Sequence, residues 1–237
     1  MAKVIIVVGI ILLLVAGWRV VAPSNEETKD SMMENTPESA VNSETEAMTG
    51  ERFVITPGTY VVDIEASTVN WAGKKPLISG YVNSGTIDLT EGSVIVGEDT
   101  ATGSFVIDMN TLKVGLTATK PNQETTLEGH LKSSRWFAVE TYPTATFVIN
   151  NFTPVGGEDK FAYVISGDLT MKGKTNVVEF PAIIYQNAAG VLRAEASTEI
   201  DRTKWDLTAG SGSFFDNLAD NVVDDMVALS FVLEATK

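Results

Sequence analysis

From Phe53 to the C-terminus, apolar and polar positions alternate in short runs with the two-residue period of an extended chain. Phe105, Ile107 and Met109 fall on one face and Ser104, Val106 and Asp108 on the other. Ala145, Phe147 and Ile149 oppose Thr144, Thr146 and Val148 in the same way. The runs are rich in Val, Ile, Thr, Tyr and Phe and are punctuated by Gly, Asn, Asp and Pro, the usual marks of strands and turns. This pattern predicts strands at residues 58–64, 68–71, 78–88, 93–95, 102–110, 142–152, 161–172, 176–185, 192–200 and 227–235. Residues 123–136 (QETTLEGHLKSSRW) break it with helix formers and with Leu127 and Leu131 four apart, so a short helix is expected there. A second helical or irregular piece is expected at residues 214–225. So many strands with so little helix predict an all-β domain, either a closed barrel or a sandwich, because closure removes exposed edges.

The region before Phe53 has a different texture. Residues 4–21 are almost wholly apolar, follow Lys3, and end at Trp18, Arg19, Val20 and Val21. About 18 such residues just cross a hydrocarbon layer, with Trp18 at the interface and Arg19 snorkelling. Residues 1–22 therefore read as a signal anchor, making a single pass through the cell membrane with the rest of the chain outside the cytoplasm. The competing reading is a cleaved signal peptide that leaves a periplasmic or secreted protein, but Pro23 directly after the small-residue site disfavours cleavage. Residues 23–50 carry seven acidic residues against one Lys and almost no large side chain, as expected of a disordered acidic linker. The folded domain is then residues 51–237.

Charge and chemistry narrow the function. The chain carries 31 acidic and 17 basic residues, a net charge of −14, with no basic patch for nucleic acid. With no cysteine and the single histidine His130, thiol catalysis and zinc-thiolate sites are excluded, and a Ser-His-Asp triad has no Gly-x-Ser-x-Gly elbow to use. Asp216, Asp220, Asp224 and Asp225 lack the spacing of a calcium loop and read as a solvated acidic face. Gly173-Lys174-Thr175 resembles the tail of a phosphate-binding loop without its upstream glycine pattern. An enzyme using His130 with Glu128 is thus the weakest reading. Phe105, Ile107, Phe147, Ile149, Leu169 and Met171 would face inward, where they either fill a core or line a cavity.

Several blocks go further. Residues 58–63 (GTYVVD), 67–71 (STVNW), 103–112 (GSFVIDMNTL), 130–137 (HLKSSRWF), 142–147 (YPTATF), 166–175 (SGDLTMKGKT) and 200–205 (IDRTKW) together resemble the YceI-like family of lipid- and polyisoprenoid-binding proteins. The resemblance implies an antiparallel, lipocalin-like barrel of about eight strands with a short helix and a long apolar tunnel. It implies a binding protein rather than an enzyme, with no cofactor and with an apolar lipid as partner: a polyisoprenoid, an isoprenoid quinone or a fatty-acyl chain. By position, His130, Leu131, Trp136 and Phe137 would form a lid, and the six inward residues above would line the tunnel. A homodimer is compatible with this reading. The principal alternative is a solidly packed interaction module of the cell envelope.

Overall fold

The computed structural model describes residues 54–117 and 121–237. Eight antiparallel strands close on themselves in chain order: β1 (Gly58–Lys74), β2 (Val82–Val96), β3 (Ala101–Leu116), β4 (Thr144–Pro154), β5 (Ala162–Met171), β6 (Lys174–Gln186), β7 (Leu192–Asp201) and β8 (Met226–Thr236). Pairing of β8 with β1 completes the ring and removes the two edges that an open sheet would expose. The barrel is the one of the two architectures left open by the alternation.

Two pairs of expected strands are single bent strands. β1 runs through the polar stretch near Asp63, where Asp63 Oδ1 accepts from the N–H groups of Glu65 and Ala66, and Ser67 Oγ donates to the Asp63 carbonyl at 2.6 Å. The register slips there against both neighbours, which marks a bulge and not a strand end. β2 likewise continues through residues expected to form a turn, with slips around Thr86 and Thr90. The helix α1 (Glu124–Lys132) is shorter than expected, since Ser133 ends it with its Oγ donating to the His130 carbonyl. Residues 214–225 are irregular apart from one 3-10 turn at Ala219–Asn221.

The barrel has two unlike ends. At the end that carries α1, Met109, Leu112, Leu169, Met171, Trp205 and Leu207 pack into a continuous cluster, with Leu112, Trp205 and Leu207 each 1% exposed. The Trp205 indole N–H donates to the Leu169 carbonyl at 3.0 Å, so the largest side chain of the floor is buried with its polar atom paired. Arg202 holds the loop beneath it. Its guanidinium is buried and donates to the carbonyls of Leu207, Val223 and Asp224 and to Asp225 Oδ1. Burial pulls the Arg202 pKa below its ordinary value, opposed by the charges of Asp225, Asp201 and Asp224. Burial pushes the Asp225 carboxyl up, but Ser211, Ser213 and Arg202 outweigh it and hold that carboxyl below the usual range. Asp224 meets Lys74 at 3.3 Å. The solvated acidic face is therefore corrected for these two aspartates: with no helix at residues 214–225, they turn inward to cations and hydroxyls.

Among the described residues no helix is long and apolar enough to cross a membrane. The segment at residues 4–21 and the linker at residues 23–50 lie outside the described residues.

Candidate functional site

The lumen above the packed floor is open. It holds a chamber of about 160 Å³ whose walls are hydrocarbon throughout except for Thr198. No charged side chain contributes to it. About ten times the space of a single water is present, and apolar cavities of this size stay dry and take up apolar guests.

The walls follow from strand alternation. Phe105 on β3 and Phe147 on β4 are direct neighbours in register, and their rings lie 6.2 Å apart. Phe147 in turn meets Phe180 of β6 at 5.7 Å, and Phe180 meets Phe231 of β8 edge-on at 5.3 Å. These four rings form a belt across the lumen, in the offset and edge-to-face geometries that aromatic pairs favour. Small residues of the wall, among them Ala182 beside the belt and Ala194, leave the space unfilled.

Gly167 allows the belt to form. A Cβ built there would lie 2.4 Å from both the Phe147 ring and the Val148 carbonyl, so the ring covers the bare backbone. Gly167→Ala is expected to cost about 1–3 kcal/mol through overpacking, measured as a lower midpoint in urea unfolding.

The upper end, at the starts of β1 and β7 and the ends of β2, β6 and β8, is crossed by residues 54–57. Ile55 lines the chamber, and Thr56 forms a polar clasp above it. Tyr60 Oη donates to the Thr56 carbonyl at 2.6 Å, Thr56 Oγ1 donates to Gln186 Oε1 at 3.3 Å, and Lys237 Nζ donates to Thr56 Oγ1 at 2.8 Å. The Lys237 ammonium also sits 5.3 Å from the centre of the Tyr60 ring. The clasp joins the first described residues to the last one.

The residues expected at the site divide into two groups. Phe105, Ile107, Phe147, Ile149 and Leu169 line the chamber together. Met171 lies outside it, because the last inward position of β5 reaches the level of Trp205 and belongs to the floor. Leu131 and Phe137 pack against that floor from below. Trp136 carries the Arg202 guanidinium 5.3 Å over its ring, and His130 is exposed, with its backbone carbonyl accepting from Ser133. None of these four reaches the chamber, so the interior is a chamber with a closed floor and not a through-tunnel. Sequence reasoning missed the walls from β6 to β8, including Phe180, Ile184 and Phe231. Among the described residues no group of three or more His, Asp or Glu side chains could hold a metal.

Comparison with known proteins places this geometry. Residues 60–235 match the family described as the YceI-like domain. Among solved structures, BcnA of Burkholderia cenocepacia is 25% identical, with a TM-score of 0.58, and the match covers 74% of this chain and 99% of that one. A polyisoprenoid-binding domain from Saccharophagus degradans, implicated in plant cell wall breakdown, is 20% identical with a TM-score of 0.52, covering 75% and 97% of the two chains. No curated protein matches the sequence.

Proposed function

Given that the chain belongs to the YceI-like domain family, we propose that it is a carrier that binds an apolar lipid chain in the barrel chamber. The observation that carries this reading is the chamber itself, a hydrocarbon-walled space inside a barrel whose other end is fully packed. Every methylene moved from water into such a space contributes about 0.8 kcal/mol, so affinity needs no charge pairing. The fold shared with a polyisoprenoid-binding domain supports an isoprenoid or a similarly slender chain as the ligand class.

The floor is sealed by Trp205 and its neighbours, so the ligand enters past the clasp of Thr56, Gln186 and Lys237. A chain longer than the chamber would leave its tail between those groups. The barrel works outside the cytoplasm, held near a bilayer by the apolar segment at residues 4–21, and the linker at residues 23–50 keeps the mouth within reach of membrane lipid. The protein binds and releases its ligand without transforming it.

This reading is tested by fluorescence. The full-length protein should take up 1-aminoanthracene with a rise and blue shift of emission, and farnesol should displace it. A wild-type protein that takes up neither compound contradicts the carrier reading.

A further inference from the structure

Ile55 is the one wall residue of the chamber that no barrel strand holds. The other lining residues, from Val62 to Ala235, all lie on β1 to β8 and are fixed by strand pairing. At the mouth, the lining residues Val96, Ala101, Leu192 and Ala235 are each 8% exposed or less. The lumen is thus covered at this end, as the packed floor closes the other. A chain that enters or leaves must displace something, and the least firmly held part of the wall gives way first.

That part is the strap of residues 54–57. Among the described residues, none of its backbone groups bonds to another backbone group. Side chains alone hold it. Tyr60 Oη and Lys237 Nζ donate to the carbonyls of Thr56 and Pro57 at 2.6 and 3.0 Å, and the Thr56 hydroxyl is bound to Gln186 and Lys237. Val54, Thr56 and Pro57 are exposed, so Ile55 is the strap's one inward apolar anchor. Gln186 stays behind as a fixed post, being buried and donating to the Gly190 carbonyl at 2.7 Å.

We propose that residues 54–57 are a gate, which lifts Ile55 out of the chamber to admit or release the ligand and is latched by Thr56, Tyr60 and Lys237. This inference rests on the carrier reading and adds to it how exchange is controlled. Neither Thr56 nor Tyr60 lines the chamber, so loosening the latch changes the rate of exchange and not the fit of the ligand. A mouth that stood open would instead let the rate of uptake rise in proportion to ligand concentration.

The test is stopped-flow fluorescence of 1-aminoanthracene uptake and release by the full-length protein. In wild type the uptake rate should level off at high probe concentration, the mark of an opening step that precedes binding. Thr56→Val combined with Tyr60→Phe removes both latch hydroxyls and keeps their bulk. It should raise the plateau and the release rate together by about tenfold, at an unchanged Kd. Lys237→Met, a change at an exposed side chain, should raise both rates by a smaller factor. Wild-type uptake that stays proportional to probe concentration, or variants that exchange at wild-type rates, overturns the gate and leaves the carrier reading standing. Faster release with unchanged uptake marks lost ligand contacts and overturns the gate as well. Failure of wild type to take up the probe overturns both readings.

Discussion

Ala182→Trp is expected to abolish lipid uptake while leaving the barrel folded. Ala182 is 5% exposed on β6, faces the chamber, and lies beside the aromatic belt. An indole there occupies the space the ligand needs, and excluding four methylenes forfeits about 3 kcal/mol, on the order of a 200-fold loss of affinity. The folding cost is small by comparison, because the new side chain enters existing space and does not displace packed neighbours. Displacement of 1-aminoanthracene by farnesol measures the first effect and far-UV circular dichroism checks the second. Retained uptake in a folded Ala182→Trp protein would move the site out of the barrel.

The second large effect concerns the floor. Arg202→Ala is expected to destabilise the protein by about 3–5 kcal/mol, the range for deleting one member of a buried, hydrogen-bonded charge network. Three carbonyls, those of Leu207, Val223 and Asp224, lose their donor, and the Asp225 carboxylate loses its cation. In a domain of this size the thermal midpoint should fall by about 10 °C. Arg202→Lys should recover only part of it, since one ammonium cannot reproduce a planar fork of donors. Differential scanning calorimetry measures both variants. A shift of under about 2 °C for Arg202→Ala would show that the loop beneath the barrel is held by other means.

The two ends of the barrel were unequally legible in the sequence. Alternation at Phe105 and Ile107, and at Phe147 and Ile149, identified inward positions because the opposite face carries Ser104, Asp108, Thr146 and Asn150 beside its two valines. Residues 227–233 (VALSFVL) and the Ile183-Ile184-Tyr185 run are apolar on both faces, so Phe231 and Ile184 could not be told from their outward neighbours. Met171 alternates correctly, yet its height along the barrel depends on register and on Trp205, neither of which a linear pattern contains. Arg202 follows an aspartate and would pass for a surface residue; its burial is imposed by the return of residues 223–225. The bulge at Asp63 looked like a strand end because Glu65 and Ala66 are poor strand formers, while the side-chain bonds that carry the chain through it are local and specific.

Native mass spectrometry of the full-length protein, purified from the membranes of a host with its normal lipids and followed by denaturation to identify released molecules, tests the central claim most directly. The carrier reading predicts a stoichiometric adduct that is released on unfolding and consists of an apolar lipid chain. A protein that emerges empty, and stays empty after incubation with farnesol and farnesyl acetate, would contradict it and leave the chamber without a ligand.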